Sequence, residues 1–459
     1  MKRKAWQIER EIRLNAVPMD RRIHASDWFN PKILIEANDI LLKTFWKTRV
    51  PGSGAPEFSY LEMVQAMANK GYDVSVAEEL LQKGLVVNKK GDFNSLRAIT
   101  GELLNAVINS PTVLDSTYHK YKHPASWRDV RESMSAADDK NHIDQITNLG
   151  KRIYDGWMGQ LAGASFGTAI EGYTGERIAQ VYGEVQDYIT KPETMNDDVV
   201  YELIFMDVFQ RKGRVLTSHD IALEWLKQIP FGWSAEWIAL QNLRQGIFPP
   251  HSGAFRNPFS NWIGAQMRGM ICGMLAPGWP LEAARLAHLD GVVSHEANGV
   301  YGEIFASVLT SLAFLHKDPQ ELILDAIKFI PYKSEYMSHL HFVLDTVKTH
   351  SDSQKVWQKL SKYFEKYNWI HAYPNMGADV MALWFGEGKM THTFSLLAKA
   401  GLDVDCNGGL VGNVLGIMYG VSQKWKQPIG DLLETYIPGK EKLSIRDLAR
   451  RTTDLACKY

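Results

Sequence analysis

The chain has 459 residues, with 51 Lys and Arg against 52 Asp and Glu; a formal net charge of −1 gives no global field toward nucleic acid or an anionic membrane. It is 45% hydrophobic and 22% charged, enough apolar material for a sizeable core in one large domain or two to three ordinary ones. Three cysteines, Cys272, Cys406 and Cys457, are too few and too scattered for a disulfide framework or a zinc site.

The opening MKRKAWQIEREIR is charged and lacks the apolar core of a secretory leader. The longest apolar stretches, around 304–315 and 410–421, are too short or too glycine-rich to span a bilayer, so a soluble cytoplasmic protein is expected. Residues 1–144 read as a helical region of unknown role. Ser59 and Glu62 have the spacing of a capping box opening a helix that stops at Gly71. A second short helix is predicted over 74–84, with Val76, Leu80 and Leu81 as its apolar side. The basic and aromatic residues of 118–131 read as a solvated face or linker, since nothing else in the charge balance points to nucleic acid. The polar run 133–144 is the predicted boundary, with a second domain over 145–459.

Beyond it come helices rich in small residues. Tyr154, Trp157, Met158 and Leu161 follow the i, i+3, i+4, i+7 rule, and Gly159, Gly163 and Gly167 form a second, close-packing face. Asp197 and Asp198 lead into a helix carrying Tyr201, Ile204, Phe205 and Val208. Residues 262–275 and 281–316 are again small and apolar, whereas 320–370 is amphipathic; His339 and His341 lie there on an expected helix and point apart. In GLDVDCNGGLVGNVLGIMYG (401–420), Asp403 and Asp405 precede glycines at 408, 412, 416 and 420, again on one helix face. No strand–helix alternation and no fixed repeat is found, and the fold is expected to be all-α.

The two Asp pairs share one design, an oxygen-rich turn feeding a helix N-terminus, where free N–H groups and the dipole favour carboxylates. An acidic cap on a packing helix accounts for either pair alone. Four carboxylates brought together raise one another's pKa, and hard divalent cations are the natural resolution, with Glu171 as a fifth acidic group.

The ordered set GQLAGASFGTAIEG, MNDDVVYEL, IGAQMRG, DGVVSHEANGVYGEIFAS and GLDVDCNGGLVGNVLGIMYG resembles the ADP-ribosylglycohydrolase family over about residues 148–435. The resemblance implies an orthogonal helical bundle with an additional N-terminal helical region. It also implies two Mg²⁺ ions, or Mn²⁺, held by Asn196, Asp197, Asp198, Asp403, Asp405 and Cys406. Glu171, Asp198 and Asp405 would be catalytic in cleaving a bond at ribose C1, with ADP-ribosylated protein as substrate. Gly264, Arg268, His295, Asn298 and Tyr301 would line the substrate side, each with a competing role in packing or buried ion pairing.

Several residues depart from the family pattern. Asn196 and Cys406 replace hydroxyl ligands, Val199 lacks a hydroxyl, and Ala164 stands where many members have Asp. A thiol is a poor partner for Mg²⁺. These changes motivate a second reading, a nucleoside or ribosyl amine as substrate. A non-catalytic ADP-ribose-binding or structural role, as in the family's crystallin-like members, is the third.

Overall fold

The structure is a computed structural model that describes residues 3–20, 22–23, 31–136 and 140–459. Within them the chain is all-α, with helices throughout and two small two-stranded antiparallel sheets. Of the 133–144 run expected to form a boundary, Ala137, Asp138 and Asp139 lie outside the described residues.

Two helices form the spine, Leu149–Gly167 and Val404–Tyr419, and their glycine faces meet each other. A Cβ on Gly163 would collide with the Gly408 carbonyl, one on Gly159 with the Gly412 carbonyl, and one on Gly416 with the Asp155 carbonyl. The two backbones therefore touch directly. Around this seam, Trp157, Met158, Leu161, Val411, Val414 and Leu415 lie at 0–1% exposure in one continuous core. That core extends through the buried helices Asp197–Lys212, Asn298–Ala313 and Ala372–Phe385. No helix among the described residues is long and apolar enough to cross a membrane.

The N-terminal region has a small core of its own, Trp46, Met63, Val64, Ala77, Leu81, Leu96 and Leu103, closed by Ala235, Phe259 and Trp262 of the larger part. Its helices differ in detail from the sequence expectation. Ser59 is the first helical residue, not the cap, and the Phe58 N–H donates back to Glu62 Oε1 at 3.4 Å. The next helix runs over Ser75–Lys90, past Gly84, because Gly84 is an interior packing position. A Cβ there would sit inside the Trp46 ring, and the helix ends instead at Gly91, whose φ is +72°.

The 118–124 stretch is not a solvated linker. Tyr118 is 8% exposed, stacks on His123 at 4.4 Å and accepts from Asn261 Nδ2 at 3.3 Å. Lys70, 8% exposed, bridges Glu296 at 2.6 Å and donates to Ser260 Oγ at 2.9 Å. Tyr121 Oη donates to Ser338 Oγ, and the Lys122 N–H to the Lys333 carbonyl.

Two buried acids in this region set a pH response. Burial raises Glu57 to about 7; burial, with the repulsion of Glu57, raises Glu62 to about 8. A carboxyl group whose pKa is raised by folding contributes stability that is complete below its unfolded value and lost as pH rises through the folded one. The protein is therefore expected to lose stability as pH rises from about 4.5 to about 8. Glu62→Gln keeps the acceptor for Phe58 and should flatten that slope by up to about 1.4 kcal/mol per pH unit. Thermal melts of both proteins across this range check it, and parallel slopes would remove Glu62 as the cause.

Candidate active site

Asn196 caps the Asp197–Lys212 helix, its side-chain oxygen accepting the Asp198 N–H at 2.8 Å. Asp197 and Asp198 thus enter the first turn, beside unpaired backbone N–H groups. Across from them, Asp403 is the N-cap of Val404–Tyr419, with Asp405 and Cys406 in the first turn. One ligand-type atom from each of Asp403, Asp405 and Cys406 lies within 4.8 Å of the others. The two turns are joined by Asn196 Nδ2, which donates to Asp405 Oδ2 at 3.3 Å, and by the Cys406 thiol, 3.5 Å from Asp198 Oδ1. The sequence-predicted acids therefore come together.

Glu171 lies on the turn that follows Leu149–Gly167. Its N–H donates to the Gly167 carbonyl at 3.0 Å, and the neighbouring Gly172 N–H to the Leu402 carbonyl at 2.9 Å. Leu402 in turn donates to the Tyr173 carbonyl. This ladder holds Glu171 beside the Asp403 turn. Glu171 keeps partial solvent access.

The electrostatics are those of crowded, dry carboxylates. Burial first, then repulsion from Asp405, Asp403, Asp197 and Asp198, drives Glu171 well above the usual carboxylate range. Burial raises Asp197 and Asp403 to about 6, and pushes Asp198 and Asp405 well above their ordinary values. Asp403 Oδ1 and Asp405 Oδ1 are buried with no hydrogen-bond partner among the described residues. Orphaned buried carboxylate oxygens are costly. The Cys406 thiol is also raised, by burial and by the four aspartates, so it stays protonated; its other neighbour is Met267 Sδ at 3.9 Å.

The sequence-predicted substrate side is built differently. Arg268, 1% exposed, spends its donors on Asp290 at 2.5 Å, Glu236 at 2.8 Å, the Gly264 carbonyl at 2.6 Å and Ser294 Oγ at 2.8 Å. The rings of Tyr201 and Trp225 flank its guanidinium at 5.1 and 5.0 Å. It acts on the acid ring only through its field, which lowers Asp197 somewhat against the effect of burial. His295 is fully buried, pairs through Nδ1 with Ser294 Oγ at 2.7 Å, and is held neutral by burial. Asn298 accepts the Tyr336 N–H and contacts His123, while Tyr301 Oη donates to the Pro124 carbonyl at 2.6 Å. These last two residues receive the N-terminal region.

Asn375 is a site residue that the sequence pattern did not single out. Its Oδ1 accepts from the Asp403 N–H at 3.3 Å and from Asn407 Nδ2 at 2.8 Å; its Nδ2 donates to the Trp369 and His371 carbonyls. All four valences are used, and together they fix the Asp403 turn. An amide within the small-residue run of 372–383 was the available signal. For the divalent-ion site expected from the sequence, Asn375→Ala should weaken ion binding about 10- to 100-fold, the usual cost of losing an orienting partner, with the melting temperature falling by only a few degrees. Calorimetric titration with Mg²⁺ tests this, and unchanged affinity would assign Asn375 to packing alone.

A helical fold with five acidic groups converging from two helix N-termini and an adjacent turn defines the class: an all-α protein with a buried carboxylate cluster. The chain matches the family model described as ADP-ribosylglycohydrolase over residues 145–457, and it belongs to that family. Membership makes it a glycohydrolase in general class. A solved structure described as an ADP-ribosylglycohydrolase-related protein complex is 17% identical, with a TM-score of 0.45, covering 68% of this chain and 99% of that one. No curated protein matches the chain.

Proposed function

We propose that the protein is a metal-dependent glycohydrolase that cleaves an N- or O-glycosidic bond at ribose C1 of an ADP-ribosyl substrate. The observation that carries this reading is the ring of Asp197, Asp198, Asp403 and Asp405, with two orphaned buried oxygens, lying under Glu171. The donor set suits a hard cation, since the four aspartates offer only oxygen ligands. Asn196 and Cys406 suit it less well: the Asn196 oxygen is engaged as a helix cap, and Cys406 presents a neutral thiol. Bound Mg²⁺ or Mn²⁺ ions would supply Lewis-acid polarisation of the ribose hydroxyls and offset the carboxylate charge.

The chain's own residues provide the proton chemistry. Glu171, on the turn beside the acid ring, is the proton donor of this reading: in its protonated form it gives the proton to the leaving nitrogen or oxygen as the C1 bond breaks. The electron pair of that bond stays on the leaving atom. A water then adds at C1 and returns its proton to the Glu171 carboxylate, while the surrounding aspartates stabilise the oxocarbenium-like charge between the two events.

A second reading keeps this chemistry on a small ribosyl compound, such as a nucleoside or ribosyl amine. The substitutions Asn196, Val199 and Cys406 favour it, as does the N-terminal region docked beside Glu171. The test is release of ADP-ribose or ribose from protein-linked, amino-acid-linked and nucleoside substrates with Mg²⁺ and with chelator. Release that disappears on chelation and returns with metal supports the proposal; turnover indifferent to chelation contradicts its metal dependence.

A further inference from the structure

The turn that carries Glu171 is walled on its outer side by the N-terminal region, which lies outside the family match. Thr48–Arg49 pairs antiparallel with Pro56–Glu57, and the loop between them, Pro51-Gly52-Ser53-Gly54, rests on residues 168–173. Gly52, at φ +88°, packs so closely on Thr168 that a Cβ would lie 2.5 Å from its methyl group. A Cβ on Gly172 would meet that of the buried Ala55 at 2.8 Å and the Trp369 ring at 3.5 Å. Tyr173 Oη donates to the Ser53 carbonyl at 3.2 Å and ties the loop tip down. Pro51 and Gly52 remain exposed, and Ser53 and Trp369 partly so. The docking continues away from the site through Lys70–Glu296, Tyr301–Pro124 and Tyr121–Ser338, so the loop stands on a wall anchored along its length.

Resting on the proposed function, we infer that the 51–54 loop and Trp369 line the leaving-group subsite and restrict it to a compact leaving group, a free amino acid or a flat heterocycle. In glycosidic cleavage the proton donor sits at the scissile bond, so groups packed on the donor's outer side meet the departing moiety, not the ribose. A folded protein brought to Glu171 would collide with a loop that its Tyr173 tether and close Thr168 contact prevent from yielding. The partly exposed Trp369 ring offers an aromatic group against which a planar leaving group would stack.

The experiment uses the full chain and substrate pairs of identical linkage, ADP-ribose on free arginine or serine against ADP-ribose on a folded protein. The parent is expected to favour the small member of each pair in kcat/KM by at least about tenfold, the scale on which a pocket rejects an ill-fitting group. Ser53→Trp, which adds bulk at the loop tip, should lower kcat/KM through KM, more steeply the larger the leaving group, and leave the Kd for ADP-ribose unchanged. Tyr173→Phe, which loosens the loop, should narrow the parent's discrimination. A parent that prefers protein-linked substrate, or variants in which every substrate and ADP-ribose weaken by one common factor, would overturn the subsite. Absence of turnover by the parent on every substrate overturns the proposed function, and the subsite with it.

Discussion

Asp405→Asn is expected to lower turnover by about 10³-fold and to remove the stabilisation that Mg²⁺ gives the parent, while the metal-free variant melts higher than the metal-free parent at pH 8. On the proposed function, the activity loss follows from deleting a preorganised charge at the reacting centre, whose removal costs at the upper end of what one such group supplies. The stability gain follows from the carboxylates themselves. Burial and its neighbours hold Asp405 well above its ordinary range, and burial puts Asp197 and Asp403 at about 6. Raised carboxyl values mean that the folded protein binds protons the unfolded chain has released. The sign is therefore a loss of metal-free stability as pH rises through about 6, with the favourable contribution complete only below about 4. An amide at 405 removes one of the mutually repelling charges, and the divalent ion of the proposed function would offset the same repulsion in the parent. Melting curves with and without Mg²⁺ at pH 5 and pH 8, alongside turnover, read all three effects. A variant that keeps the parent's Mg²⁺-dependent shift would remove Asp405 from the site.

Gly163→Ala is the second large effect, and it acts on the fold. The added methyl would lie inside the Gly408 carbonyl group, with the Gly409 N–H just beyond, so backbone stands on both sides of the contact. No side chain can rotate away, and the two spine helices must separate. Overpacking of this kind costs about 3 kcal/mol, toward the upper end of its usual range, and displaces Asp405 because its turn heads the same helix. Gly101→Ala is the internal control. It sits inside Phe93–Ile108 with nothing within 4 Å of the added methyl, and it should gain about 0.5–1 kcal/mol from helix propensity. Denaturant melts of the two variants read the contrast. Comparable stability in both would mean that the seam is not close-packed.

The glycine seam was legible because size has a period: residues four apart on two segments mark two faces with nothing on them, and such faces find each other. The acid turns were legible because Asp pairs at the start of small-residue helices repeat one local design. What the sequence did not disclose is long-range. Gly84 looked like a helix end, yet it is the flat spot on which Trp46 lies, a relation visible only once the 75–90 helix packs. Tyr118 and His123 looked like a solvated basic stretch, yet they dock on Asn261 and Asn298. Arg268 illustrates the same limit from the other side. A basic residue in a small-residue motif is compatible with a phosphate ligand or a buried ion pair, and the neighbours that decide, Asp290, Glu236 and Ser294, come from other parts of the chain. Asn375 was missed for this reason too, since its task is to hold a turn 28 residues away.

Everything proposed for the site requires that the two Asp turns form one metal cradle facing Glu171. Crystals of the full chain grown with Mn²⁺ and ADP-ribose test this directly through the anomalous signal of manganese. The expected result is manganese bonded to oxygens of Asp403 or Asp405 together with Asp197 or Asp198, and ribose C1 directed toward Glu171. Manganese absent from these oxygens while ADP-ribose is bound, or ADP-ribose bound away from Glu171, would contradict it.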